Sequence, residues 1–193
     1  WNNIYRLLKP YFEESTGQLF TSGIKVLVKV TVQFHELYGY SLTVLDIDPT
    51  YTLGDMARRR REILLQLEEE GVLTLNKELE MPVLPQRIAV VSSATAAGYG
   101  DFMKHLLLNP RRLRFRTELF EATMQGERTV PSIISALEAV MAREDEFDSV
   151  VIIRGGGAVS DLASFDDYEL AANVAQFPLP VIVGIGHERD ITV

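Results

Sequence analysis

The spacing of apolar residues changes twice along this chain. From Val26 to Val32 the valines alternate with Leu27, Lys29 and Thr31, the two-residue period of a strand whose two faces differ. Tyr38-Gly39 then turns the chain into Tyr40–Leu45, so the pattern predicts two strands joined by a short turn. Past Pro49 the composition becomes helix-forming over 52–70, with Leu53, Met56, Ile63, Leu64 and Leu67 available for one face and Gly71 as the stop. Strands that need a closing helix suggest half of a small β-barrel.

Pro82 and Pro85 in MPVLPQR interrupt both periods, and the pattern beyond them is different. Short apolar runs at 88–92, 149–153 and 180–185 and a strand-like segment at 115–120 alternate with helix-length segments at 99–108, 131–142 and 168–175. Apolar strands alternating with helices predict βαβ units, and hence an open, mostly parallel α/β sheet with helices on both faces. Two domains are therefore expected, residues 1–80 and 81–193.

Composition narrows the chemistry. The 193 residues contain no cysteine, which removes disulfides, thiolate catalysis and cysteine zinc sites. Lys plus Arg number 19 against 27 Asp plus Glu, a net charge of −8, so a globally basic coat for nucleic acid is excluded. No apolar run reaches the roughly 20 residues of a membrane helix, and WNNIYRLLKPYFEE lacks the regions of a signal peptide. A cytoplasmic setting without membrane contact is the natural expectation. Both ends are abrupt, which suggests a piece of a longer protein.

In an open parallel sheet, chemistry sits beyond the carboxyl ends of the strands, where helix N-termini favour anions. The residues following the expected strands are Ser92, Ser93 and then Asp101; Met124-Gln125-Gly126; Arg154-Gly155-Gly156-Gly157 and then Asp161; and Gly186-His187-Glu188-Arg189-Asp190. Glycines let backbone amides approach an anion, and a permanently charged guanidinium beside them can clamp a phosphate. The same glycines also serve a tight turn, and RGGG lacks both the Walker Lys-Ser/Thr and the full dinucleotide fingerprint. His187 and Asp190 stand three residues apart, close enough on a helix for the acid to orient the imidazole. Asp101 and Asp161 fall early in expected helices, where a carboxylate also caps. With Asp190 they could offer oxygen ligands to Mg²⁺, but the spacing dictates no metal. His35 and His105 read as packing or surface residues.

Two basic clusters stand out. Arg58, Arg59, Arg60 and Arg61 form a run on the first domain's helix, and Arg111, Arg112, Arg114 and Arg116 crowd the approach to the strand at 115–120. Either could touch a phosphate backbone. The glutamates after the first run fit a solvated helix face equally well. Phe34, Tyr38 and Tyr40 could form a base-stacking platform, although core packing is the commoner fate of such residues.

Four segments in order, LPQRIAVVSSATAAGYGDF, MQG, VVIIRGGGAVSDLASFDDYELA and PLPVIVGIGHERDITV, resemble the large subunit of bacterial exonuclease VII. GIKVLVKV, YGYSLTVLDIDPTYTLGD and LEEEGVL resemble the later strands and closing helix of that family's OB-fold. The resemblance implies a partial OB-fold at 1–80, an α/β catalytic domain at 81–193, and hydrolysis of single-stranded DNA from either end to give 5′-phosphorylated oligonucleotides. It also implies catalytic positions at Asp101, Arg154, His187 and Asp190. Ser93, Gly155, Gly156, Gly157, Asp161, Arg58 and Arg59 would hold phosphate or DNA. No cofactor is called for by the motifs. The implied partner besides single-stranded DNA is the exonuclease VII small subunit, bound through a helical C-terminal region that this chain does not include, so the chain by itself is expected to be a poor nuclease. Where many relatives have RGGGS, FNDE and TGAA, this chain has Ala158 after the glycines, Phe165-Asp166-Asp167-Tyr168 and Thr95-Ala96-Ala97-Gly98. The competing reading is a non-catalytic module that binds single-stranded DNA or a nucleotide phosphate on the same rim.

Overall fold

A computed structural model of the chain describes residues 2–17, 20–22, 24–155, 162–186 and 192–193. These fall into two units, one running to Arg59 and the other from Arg60 onward.

In the first unit, helix α1 (Asn2–Thr16) precedes strands β1 (Leu27–His35) and β2 (Gly39–Asp48), and helix α2 (Pro49–Glu69) begins. The alternating valines form an antiparallel hairpin with Val30 opposite Val44 and Phe34 opposite Tyr40. Gly39, at φ +72°, takes the left-handed conformation that closes the turn, and the Tyr38 N–H donates to the His35 carbonyl at 3.2 Å. Phe12 and Ile47 supply buried apolar side chains. Thr52 donates from Oγ1 to the Lys25 carbonyl at 2.8 Å, tying the first turn of α2 to the approach to β1. The outer half of the hairpin is apolar and exposed. Phe34 and Tyr40 are 65% and 77% accessible, with ring centroids 5.1 Å apart.

The second unit is a four-stranded parallel sheet. Its strands are β3 (Arg87–Ser92), β4 (Arg116–Glu121), β5 (Ser149–Arg154) and β6 (Val181–Ile185), in the order β4-β3-β5-β6. Helices α3 (Ala97–Leu107), α4 (Thr129–Met141) and α5 (Tyr168–Ala175) lie between them in sequence. Alternate residues of the two central strands go to opposite faces. Ala89, Val91, Val150 and Ile152 enter one core with Ile133, Leu137 and Val140 of α4 and Leu170 of α5. Ile88, Val90, Val151 and Ile153 enter another, covered by Tyr99, Phe102 and Leu106 of α3. Both faces are covered, so β3 and β5 read as continuous apolar runs instead of alternating ones.

The later turns of α2 belong to this second unit. Ile63 and Leu67 bury against Ala172, and Arg60 forks onto Asp166 through Nε–Oδ1 and Nη2–Oδ2 contacts of 3.1 and 2.8 Å. The Asp166 side chain is only 7% accessible. The proline-rich segment expected to mark a boundary also follows a part of this unit. In the short 3₁₀ turn Leu75–Glu78, Asn76 donates from Nδ2 to the carbonyls of Phe177 and Leu179 and accepts from the Val181 N–H. One amide thus satisfies three backbone groups at the entry to β6.

Candidate functional site

Strand order reverses at β3: the chain leaves it for β4 on one side and returns to β5 on the other. The connections after β3 and β5 therefore diverge, and a crevice opens between their carboxyl ends. A cleft of about 680 Å³ lies there, with Ser93, Thr95, Arg154, Gly155, Glu121 and Gln125 in its lining. Ser93 and Arg154 directly follow or end their strands, so the sheet itself sets their separation.

The lip beside β3 is a hydroxyl turn. Ser93 Oγ and Thr95 Oγ1 are hydrogen-bonded at 3.0 Å, and the Ala96 N–H donates to the Ser93 carbonyl at 3.0 Å. Residue 96 is extended, and α3 starts after it without a side-chain cap. The N–H groups of its first turn have no carbonyl one turn behind them within the helix. The lip beside β4 is built from Glu121 to Gln125 and the first turn of α4. Ser132 Oγ accepts from the Thr123 N–H at 2.9 Å and lies 3.0 Å from the Thr129 carbonyl, fixing one to the other. The N-terminus of α3 thus meets the cleft, an environment that favours negative charge, whereas α4 contributes Ser132, its Thr129 and Ser132 N–H groups already donating to the Gly126 and Arg128 carbonyls.

Arg154 is 4% accessible, and its guanidinium carbon lies 5.9 Å from the Phe165 ring centroid. The attraction of a guanidinium in such a setting for an anion is far less screened than on the surface. Gly155 is required for a reason separate from anion binding. A Cβ there would stand 2.9 Å from the Gly98 backbone nitrogen, and a Cβ on Gly98 would stand 2.8 Å from the Gly155 nitrogen. The end of β5 and the first turn of α3 touch backbone to backbone.

Ser93, Arg154 and Gly155 of the expected site are brought together in the cleft. Asp101 is exposed on the second turn of α3 and does not line it. Gly156, Gly157, Asp161, His187 and Asp190 lie outside the described residues. Arg58 pairs with Asp55 in the first unit, and Arg59 is exposed there. Ser92 turns inward, its Oγ donating to the Ile153 carbonyl at 2.7 Å across β3 and β5. Among the described residues no cluster of His, Asp or Glu is placed to hold a metal ion. Thr95, Glu121, Thr123 and Ser132 are additions to the site. Glu121 is findable as the residue that follows the strand-like segment 115–120. Ser132 is not, because it reaches the cleft only through the packing of α4.

A parallel sheet with a polar cleft at its reversal point, an arginine in its lining and the N-terminus of α3 on one lip defines an α/β protein whose cleft suits an anionic ligand. A family profile described as "Exonuclease VII, large subunit" matches residues 72–193, and the chain belongs to this family. It is 42% identical over 182 residues to the "Exodeoxyribonuclease 7 large subunit" of Deinococcus radiodurans, an alignment covering 92% of this chain and 43% of that protein. The proteins of the same name from Lactobacillus delbrueckii subsp. bulgaricus and Nostoc are 35% and 34% identical, over 88% and 90% of this chain and 37% and 42% of theirs. The chain spans about two fifths of the length of these relatives.

Proposed function

We propose that this chain forms the single-strand DNA-cleaving core of an exodeoxyribonuclease VII large subunit, a phosphodiester hydrolase. The observation that carries the reading is the convergence of Arg154, the Ser93–Thr95 hydroxyl pair and the first turns of α3 and α4 on one cleft, in a member of a family named for a deoxyribonuclease. A phosphodiester entering the cleft meets hydroxyl and amide donors on its lips and the guanidinium in its floor. Charge on the phosphoryl oxygens grows as water attacks, and donors already aimed there stabilise it without having to reorganise. The water oxygen bonds to phosphorus, the P–O3′ bond breaks, and a 3′-hydroxyl and a 5′-phosphate result. His187 serves as the general acid or base for these proton transfers and Asp190 orients it, while Asp101 approaches from the second turn of α3 beside the cleft, outside its lining. Gly156, Gly157 and Asp161 line the phosphate path, with Arg58 and Arg59 contacting DNA from the first unit. No step here is routed through a metal.

The first unit is, on this reading, the later part of an OB-fold. An antiparallel hairpin followed by a helix, and the exposed Phe34–Tyr40 pair that would stack on bases, support it. Degradation proceeds from either end of the strand, the small subunit is the protein partner, and the setting is the cytoplasm. No helix among the described residues is long and apolar enough to cross a membrane.

The test is cleavage of end-labelled single-stranded DNA by the intact large subunit with its small subunit, comparing wild type with Arg154→Ala and His187→Ala, with and without a chelator. Both variants should lose cleavage while remaining folded. Wild-type activity in Arg154→Ala would remove the cleft from the mechanism. Tight strand binding without cleavage by wild type would make this a binding module instead.

A further inference from the structure

The cleft leaves the arginine turn between α3 and β4 unused. That turn lies at the other rim of the sheet. β4 starts at Arg116 and ends at Glu121 in the cleft wall, a run of about 17 Å at strand rise. Helix α3 covers the same distance, from Ala97 on the lip to Leu107, and exposes Lys104 and His105 in its last turn.

Arg111, Arg112 and Arg114 are all exposed, and none of them forms an ion pair among the described residues. Carboxylates at this rim are engaged elsewhere. Asp148 is held by Arg87, and Glu118 and Glu146 are both held by Arg143, in each case with the carboxyl pulled below its ordinary range by the guanidinium's hydrogen bonds. Arg116 adds its charge to Glu118 and Glu146, which leaves Glu144 and Asp145 as the other acids of that segment.

The turn is held rigid. Asn109 donates from Nδ2 to the carbonyls of Leu106 and Leu113, at 2.7 and 2.9 Å, and accepts from the Leu113 N–H at 2.8 Å. Arg112 has φ +53°, a left-handed conformation that costs a long side chain energy and costs glycine or asparagine little. Three guanidiniums are therefore presented on a fixed support, on a chain whose net charge is −8. Guanidinium forks match phosphate oxygens, and a polyanion is the ligand that can reach such a patch and the cleft together.

We propose that the Arg111–Arg114 turn, with Lys104, is a second phosphate-binding surface that grips single-stranded DNA several nucleotides away from the cleft. It rests on the reading of the cleft as a single-strand site. The experiment is equilibrium binding of labelled oligothymidylates, one about twenty and one about three nucleotides long, to the intact protein across a salt series. Each phosphate contact on a single strand contributes about 0.7 to the log–log salt slope, so R111Q/R112N/R114Q should lower the slope for the long oligomer by about 2. Affinity for it should fall roughly tenfold to a hundredfold at low salt, while the short oligomer is unaffected. Asn at 112 retains the left-handed turn, and K104Q on the exposed helix face gives an independent loss of about 0.7 in slope. An unchanged slope in both variants, or failure of wild type to bind the long oligomer, overturns the proposal. Displacement of a bound polyglutamate but not of DNA would also overturn it, in favour of an acidic protein segment. Indifference of the short oligomer to R154A would refute the reading of the cleft and this proposal with it, whereas an unchanged slope in the triple variant with the short oligomer still weakened by R154A would refute this proposal alone.

Discussion

Replacing Gly155 by alanine tests how the cleft is assembled. The added Cβ would lie 2.9 Å from the Gly98 nitrogen and 3.6 Å from the Ala97 Cβ. The nearest obstacle is backbone, with no rotamer to move, so the end of β5 and the start of α3 must separate by roughly half an ångström. Overpacking of this kind costs about 1–3 kcal/mol. The displaced residues are Arg154's neighbour and the first turn facing it, and a misplacement approaching 1 Å near reacting atoms can cost about a hundredfold in rate. We therefore expect Gly155→Ala to lower the urea midpoint by the equivalent of about 1–3 kcal/mol without altering the slope of the transition. In the intact enzyme, single-strand cleavage should fall by one to two orders of magnitude. Gly100→Ala is the control. It is also in α3, nothing lies within 4 Å of the point its new methyl would occupy, and alanine there should gain about 0.5–1 kcal/mol. If the two variants share one midpoint and one activity, the backbone contact is not what holds the cleft together.

Two further expectations concern the frame. Asn76→Leu strips three backbone groups of their partner and should destabilise the chain by about 2–4 kcal/mol in the same denaturation assay, whereas a loss below about 0.5 kcal/mol would show that water replaces the amide. Asp148 has its carboxyl lowered chiefly by the Arg87 side chain, so the pair stabilises the fold fully above the unfolded carboxyl's range and loses that stabilisation as pH falls through the lower folded value. Asp148→Asn should accordingly be less stable than wild type at neutral pH, with the gap closing below about pH 4; a gap independent of pH would assign the effect to hydrogen-bond geometry alone.

Much of the second unit is legible in the sequence because the interiors of β3 and β5, Ile88–Val91 and Val150–Ile153, are apolar without a break. A run such as Ile88–Val91 has one economical fate, a strand covered on both faces. The rim rule then leads to Ser93 and Arg154 from sequence position alone. What escapes are pairings of residues far apart in the chain. Nothing in Arg58–Arg61 marks Arg60 as the one member turned onto Asp166, 106 positions later. Asn76 reads as an ordinary turn residue until β6 arrives beside it. Helix α1 has Ile4, Leu7, Leu8, Tyr11 and Phe12 at helical spacing, but Pro10 in its interior is a breaker that hides it. Ser92 and Ser93 are adjacent and look equivalent, yet the pleat sends one into the sheet and the other into the cleft. Phe34, Tyr38 and Tyr40 go against the usual fate of aromatics, being exposed on the hairpin.

The division of the sheet into two cores has a consequence for how such a sequence can drift. Val90 and Val91 are neighbours in the chain but belong to different interiors, one closed by α3 and the other by α4 and α5. A methylene lost at Val90 cannot be made good at Val91; room or bulk must be restored by Phe102, Leu106 or Val151, which share its face. Compensating changes should therefore run between a strand and the helix over it, skipping the adjacent residue, and the two interiors should diverge from one another as separate histories.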